Sequence, residues 1–288
     1  MGSKISFIYL YFLVFQLTSV YIGGGSVLAQ SQNTIPSPIL HKELDKHFMD
    51  CHVEGSIIIY DRDLDAWIVS DTVDIYEGSL PASTFKILNL LIALETGVID
   101  DEEEVIPYKG NVDTTKYGYR PGTYRDMTVR EAFEASAVWV FLDLAERIGK
   151  DTYREYLQKI GYGNKLANGE NLDFWNFGEL DISPVNQVKF LIDLYDYRLP
   201  FSKINIDIVK DVMLSEIGKN YTVHGKTGWT REGGINIGWW IGYIEKGNSV
   251  YVFTTRIRQD RENNKSDFGQ CRKMITEKVF QELKLLNP

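Results

Sequence analysis

Strands near both ends of the chain and helices between them predict a mixed α+β fold. One antiparallel sheet draws on both chain ends, with helices packed on it as a second layer and a helical region in the middle. Three observations carry this expectation. The runs Gly55–Asp61 and Ala66–Val69, and later Thr222–Lys226, Ile237–Ile244 and Val250–Ile257, are rich in β-branched and aromatic residues. The stretch between them shows helical spacing with start and stop signals. The composition, 44% hydrophobic and 25% charged over 288 residues, is that of a globular protein with a sizeable core. No repeat, low-complexity tract or long linker divides it.

The elements follow in order. Lys4 and the apolar run Ile5–Phe15, with the small-residue pattern Val27-Leu28-Ala29, have the form of a signal peptide. We expect residues 1–29 to be removed, leaving 30–288 as a single domain exported to the periplasm with no membrane span. Lys4 is the only charge before residue 30, so the mature chain would carry −10 against −9 for the whole. Gln30–Pro38 reads as a flexible arm, and Leu40–Met49 as a short amphipathic helix. Asp61–Asp65 between the first two strands has hairpin composition. A helix beginning near Ser83 stops near Gly97, and the acidic run Asp100–Glu104 reads as a solvated face. Tyr108–Asp126 has no periodicity and reads as a long surface excursion. Thr128-Val129-Arg130-Glu131 is a capping box that opens a helix, with a break expected near Ser136. Asp151–Ile160 is a helix closed by Gly161. Gly163–Leu180 lacks periodicity, and its aromatic residues should pack inward. Ser183-Pro184 caps and starts a helix, Asp207–Glu216 fits another, and Gln270–Leu285 is a terminal amphipathic helix.

The net charge of −9 argues against a general nucleic-acid binder, which needs a basic surface. Cys51 and Cys271 are the only cysteines. They could pair in an oxidising compartment, but sequence cannot place them within bridging distance. The reading adopted is two free, buried thiols. His47, Cys51 and His52 form no zinc site, because no second ligand cluster accompanies them. No metal is expected. Oligomeric state is not legible.

Chemistry concentrates in Pro81-Ala82-Ser83-Thr84-Phe85-Lys86. Positions three apart share a helix face, so a hydroxyl and an amine meet there. Serine needs a base to become a nucleophile, and a lysine serves only if its charge is suppressed. A chain this long holds roughly one Ser-x-x-Lys by chance at average composition. A second motif, Lys226-Thr227-Gly228 at a strand end, adds a cation and a hydroxyl suited to an anionic acyl substrate. The pair marks serine enzymes that open β-lactams and the penicillin-binding proteins.

The remaining motifs select a branch. There is no Ser-Asp-Asn. Instead Ser136-Ala137-Val138 stands in the helical region, followed by Tyr162-Gly163-Asn164, by Phe174-Trp175 with Gly178–Ser183, by Gly238-Trp239-Trp240-Ile241-Gly242, and by Phe268-Gly269-Gln270-Cys271-Arg272. In this order they resemble the class D, oxacillinase-type, serine β-lactamases over roughly Cys51–Leu286. The resemblance implies the serine β-lactamase and penicillin-binding transpeptidase fold. It implies hydrolysis of β-lactams through an acyl-ester on Ser83, and no cofactor beyond CO2 or bicarbonate. The CO2 would carboxylate Lys86 to an N6-carboxylysine, the general base of acylation and deacylation. It also implies that Trp175 holds this carbamate through its single indole N–H. Ser136 would relay a proton to the leaving nitrogen, tuned by Lys226. Backbone N–H groups of Ser83 and Trp229 would form an oxyanion hole. Arg272 with Thr227 would bind the substrate carboxylate, beside Val138.

Arg256 is a rival carboxylate ligand by residue type, and His224 reads as structural. Asn176 stands where the family commonly has leucine, which bears on how water reaches the acyl-ester. Two alternatives remain: a β-lactam sensor domain that is acylated without turnover, and a penicillin-binding peptidase.

Overall fold

The computed structural model describes residues 34–110, 112–169, 171–263 and 267–286. The expected signal segment lies outside them. Nine strands are present among these residues: β1 (Ile39–Leu40), β2 (Glu54–Asp61), β3 (Ala66–Val69), β4 (Val105–Ile106), β5 (Met127–Thr128), β6 (Leu214–Ile217), β7 (Thr222–Glu232), β8 (Ile235–Lys246) and β9 (Ser249–Asp260). Seven form one sheet in the order β1-β3-β2-β9-β8-β7-β6, which joins the two ends of the chain as expected. Every pairing in it is antiparallel except the edge pair β1–β3. The β8–β9 hairpin turns at Gly247, whose φ of 60° is the left-handed conformation that such a turn needs.

Among the described residues ten helices accompany the sheet: α1 (Asp45–Asp50), α2 (Lys86–Glu95), α3 (Thr114–Tyr117), α4 (Val129–Glu134), α5 (Val138–Ile148), α6 (Lys150–Ile160), α7 (Phe174–Phe177), α8 (Pro184–Tyr195), α9 (Lys203–Val212) and α10 (Phe268–Glu282). The sheet has a hydrophobic layer on each face. On one side Ile57, Ile59, Trp240 and Phe253 pack with Phe48, Ile275 and Phe280 from α1 and α10. On the other, Ile58, Trp239, Ile241 and Val252 meet the larger cluster that contains α2, α5 and α8. The run Ile87–Leu94 of α2 is buried all round, as a sequence apolar at every position but Asn89 requires. This helix is the central post of the helical layer.

The helix signals act where sequence places them. Thr128 and Glu131 complete a reciprocal capping box on α4, and Ser183 caps α8 with Pro184 in its first turn. The chain does break at Ser136, which takes φ 53° between α4 and α5. Other expectations need correction. Leu40–Met49 is not one helix: β1 ends at Leu40, a 3-10 turn covers Lys42–Leu44, and α1 runs on to Asp50. The arm is not free where it is described, since Ile35 is buried in the core and its N–H donates to Tyr76 Oη at 3.4 Å. Asp207–Glu216 is divided: α9 stops at Val212 and β6 begins at Leu214, because the edge of β7 offers backbone partners that a further helical turn would leave unused.

The cysteines are also corrected. Cys51 and Cys271 form a disulfide across 220 residues, with their Cα atoms 6.1 Å apart. The bond fastens the end of α1 to the first turn of α10, beneath the sheet. Being bonded, Cys51 offers no thiolate to a metal.

Candidate active site

Ser83 sits in a 3-10 turn, Ala82–Phe85, that leads into α2 at Lys86. Three residues per turn bring positions i and i+3 into line, and Lys86 Nζ donates to Ser83 Oγ at 2.8 Å. The turn is strained: Ala82 has φ 53°, a conformation that costs a residue with a Cβ about 1–3 kcal/mol. Its surroundings hold it there. Thr84 Oγ1 donates to the Pro81 carbonyl at 2.7 Å and accepts from Gln187 Nε2 at 2.9 Å. Trp239 Nε1 donates to the Leu80 carbonyl at 2.9 Å. Strand β7 presses directly on the turn, since a Cβ on Gly228 would stand 2.9 Å from the Pro81 oxygen. Only glycine allows that approach, which explains the third residue of Lys226-Thr227-Gly228.

Lys86 has no exposed surface. Burial lowers its pKa from 10.5 to about 7, with Asp173 opposing the shift and Arg120 adding to it. Its ammonium lies 5.1 Å from the centre of the Phe141 ring. Lys226 is as deeply placed. Its Nζ donates to Ser136 Oγ at 3.0 Å and to the Thr227 carbonyl at 3.2 Å. Burial, then the charges of Lys86, Arg272 and Arg120, push its pKa well below the usual lysine range. Two buried amines thus share one site with no carboxylate within ion-pair distance of either among the described residues.

Ser136 is held at its left-handed turn from both sides. Its N–H donates to the Phe133 carbonyl at 3.1 Å. Arg120 clamps the turn, donating to the carbonyls of Ala135 at 2.7 Å and Ser136 at 3.2 Å. Arg120 belongs to the excursion between β4 and β5, and the sequence reading did not single it out.

Trp175 is fully buried. It stacks on Phe85 with ring centres 5.2 Å apart and meets Phe174 edge-on at 5.1 Å. Its indole N–H has no acceptor, although an unsatisfied buried donor costs about 1–3 kcal/mol. The same loop holds a polar cluster absent from the sequence reading. Asp173 accepts from Tyr117 Oη at 2.6 Å and Asn176 Nδ2 at 2.6 Å, and pairs with Lys116 at 3.4 Å. Burial raises the Asp173 pKa, against these donors. Asn176 therefore turns its side-chain amide to Asp173, while its backbone carbonyl accepts from Thr230 Oγ1 at 2.5 Å.

Arg272 donates to the Gly228 carbonyl at 2.7 Å, and its Nε has no partner. Burial alone lowers its pKa to about 10. Thr227, Val138 and half-exposed Trp229 line the same cavity of about 690 Å³, together with Ser83, Ser136 and Arg272. The structure thus gathers these expected residues around one opening, with Lys86, Lys226 and Trp175 buried beneath it. It excludes the rival: Arg256 is buried in the core, bonded to Asp74, Ser79 and the Glu77 carbonyl, and does not line the cavity. His224 is structural as read, stacked on Tyr243 and bonded to the Lys210 carbonyl. Tyr162-Gly163-Asn164 is a brace. Asn164 bonds the carbonyls of Asp181 and Glu179, and Gly163 passes so close to Asp181 that a Cβ would overlap it.

The model of the penicillin-binding protein transpeptidase domain matches residues 60–281. The chain is 36% identical over 240 residues to the β-lactamase OXA-10 of Pseudomonas aeruginosa, covering 82% of this chain and 87% of that protein. The chain belongs to the class D serine β-lactamases. It is 33% identical to the probable β-lactamase YbxI of Bacillus subtilis, over 96% of this chain and 97% of that one. The crystal structure of a class D β-lactamase from Sebaldella termitidis superposes with a TM-score of 0.81 at 39% identity. That match covers 87% of this chain and all of the other. Membership fixes the enzyme class, a serine hydrolase of β-lactams; the roles of individual side chains rest on the geometry above.

Proposed function

We propose that the enzyme hydrolyses β-lactams through an acyl-ester on Ser83, with Lys86 working as a carboxylated lysine. The observation that carries this reading is a fully buried amine 2.8 Å from Ser83 whose pKa is lowered to about 7; the indole N–H of Trp175, stacked on the adjacent Phe85, is buried without a partner. A neutral amine adds CO2 and releases one proton; a charged one does not. The resulting carbamate supplies an anionic base for the Ser83 hydroxyl and for the hydrolytic water. Trp175 Nε1 would donate to it.

The carbamate also resolves the electrostatics of the floor. Lys86 as a cation is one of the charges that push Lys226 toward the neutral form. An anion at Lys86 reverses that contribution and favours a charged Lys226. Ser83 Oγ adds to the lactam carbonyl, and the backbone N–H groups of Ser83 and Trp229 receive the developing oxyanion. The C–N bond breaks as Ser136 Oγ gives the nitrogen its proton, and Lys226 Nζ replaces it. Arg272, with a free Nε–H and no carboxylate partner among the described residues, holds the substrate carboxylate beside Thr227.

We also propose export with cleavage after Ala29, which leaves residues 30–288 as one catalytic domain in the periplasm. The disulfide supports this, because such bonds persist in oxidising compartments. Among the described residues no helix is long and apolar enough to cross a membrane.

Turnover of a chromogenic cephalosporin tests the reading. The wild type should release many equivalents of product, and Ser83→Ala none. A single stoichiometric acylation without turnover would sink hydrolysis in favour of the sensor alternative.

A further inference from the structure

The cavity wall carries five cationic side chains, Lys116, Arg120, Arg231, Arg261 and Arg272, and no aspartate or glutamate. The chain as a whole has a formal charge of −9. A cleft of one sign on a protein of the other focuses its field on ligands of the opposite charge. A single substrate carboxylate needs one of these cations, and Arg272 serves it. Two others are occupied within the fold. Lys116 pairs with Asp173, and Arg120 holds the carbonyls of Ala135 and Ser136.

Arg231 is not occupied in this way. Its Nη2 reaches only the carbonyls of Thr115 at 3.4 Å and Lys116 at 3.3 Å, both long for an N–H···O bond. Its guanidinium lies 5.6 Å from the centre of the Phe177 ring. No carboxylate pairs with it among the described residues, and it is exposed at the cavity rim.

Its place along β7 says what it could meet. Side chains alternate along a strand, so Thr227, Trp229 and Arg231 share a face, and all three line the cavity. Thr227 and Arg231 are separated by roughly 13 Å of extended strand. A β-lactam with its ring carboxylate at Thr227 and Arg272, and its lactam carbonyl at the Trp229 N–H, has one remaining substituent to place. This is the acylamino arm, borne on the ring carbon next to that carbonyl. It leaves the ring on the side away from the carboxylate and continues along β7 toward Arg231.

We propose that Arg231 is a specificity-determining residue that favours β-lactams carrying a second carboxylate on the acylamino arm, next to the amide. The proposal rests on the hydrolase reading above. Binding exchanges two long bonds to neutral carbonyls for charge-assisted bonds that the planar guanidinium donates to both oxygens of a carboxylate. At an exposed rim the gain is screened by salt.

The test compares benzylpenicillin with its α-carboxybenzyl analogue, which differs by the one carboxylate. The readout is the ratio of their kcat/KM values in the wild type, Arg231→Gln and Arg231→Lys. Removing a charged hydrogen-bonding partner should lower the dianion-to-monoanion ratio about tenfold in Arg231→Gln. Arg231→Lys should keep part of the preference, and the wild-type ratio should fall as salt is raised. An unchanged ratio in Arg231→Gln would overturn the proposal. So would an equal loss for both penicillins, which would mark Arg231 as a prop for the Thr115–Lys116 backbone alone. Failure of the wild type to turn over either penicillin would defeat the hydrolase reading itself, a different outcome from an unchanged ratio.

Discussion

On the floor of the cavity, Lys86 and Lys226 are buried with no carboxylate within ion-pair distance among the described residues, and both are pushed toward the neutral form. At the rim, Lys116 faces Asp173, and the exposed Arg120 and Arg231 bond backbone carbonyls. The same kind of side chain thus does different work. Burial on the floor pushes the lysines toward the neutral form, the form that the proposed uptake of CO2 requires. At the rim the arginines shape the turn at Ser136 and the field at the entrance. In the function proposed, chemistry belongs to the floor, and selection to the rim.

The largest effect should come from the floor. Lys86→Ala should slow deacylation on the order of 10³-fold, the size of a general-base contribution. Intact-mass measurement would then find the acyl-ester on Ser83 accumulating, whereas full turnover would remove Lys86 from the role of base. Trp175→Phe deletes one N–H and keeps the stacking on Phe85. Loss of a hydrogen bond to a charged group should cost turnover about 10- to 100-fold, partly recovered by added bicarbonate. Equal activity at ambient CO2 would show that the indole N–H holds nothing.

The pH dependence follows from the same burial. Lys86 has an ordinary pKa of 10.5 and a folded value of about 7. Between these values the unfolded chain binds a proton that the folded chain releases. Lys86 therefore makes stability rise with pH from about 7 to 10.5 and penalises the fold most below 7, where the buried amine is charged. Activity should fall below about pH 7, because protonation removes the amine that takes up CO2, and bicarbonate should shift that limb to lower pH. A profile insensitive to bicarbonate would contradict this.

Smaller effects lie away from the floor. Opening the disulfide in Cys51→Ser should cost about 2–5 kcal/mol of stability, seen as a lowered Tm under non-reducing conditions. A Tm equal to the wild type's would show that the bond does not hold the fold together. At the rim, Tyr117→Phe removes one of the donors to Asp173 and should cost about 1 kcal/mol. It should appear as a change of a few-fold in KM, with kcat nearly kept; a collapse of kcat would place the cluster in the chemistry.

The floor was legible in the sequence for a physical reason. Ser83 and Lys86 lie within one turn, and Lys226, Thr227 and Gly228 are contiguous, so local spacing encodes their geometry. The long strands β7 to β9, the capping box at Thr128 and the cap at Ser183 are local signals too. What escaped depends on contacts between distant parts of the chain. The disulfide joins residues 220 apart. Asp173 meets Tyr117 across 56 positions, and neither residue is marked by its neighbours. Strand β6 follows α9 after one residue and is defined by pairing with β7, not by its own four residues. Asn176 was visible as a departure from the family pattern, but its consequence was not. Its amide serves the cluster around Asp173, through which Tyr117 and Lys116 tie that loop to α3.

The account stands on the state of Lys86. The most direct measurement is carbon-13 NMR of the protein equilibrated with labelled bicarbonate, followed alongside turnover. The wild type should show a carbamate resonance that grows with bicarbonate in step with activity, and Lys86→Ala should show neither. Full activity in CO2-depleted buffer with no carbamate resonance would contradict the account and leave the neutral amine of Lys86 as the base.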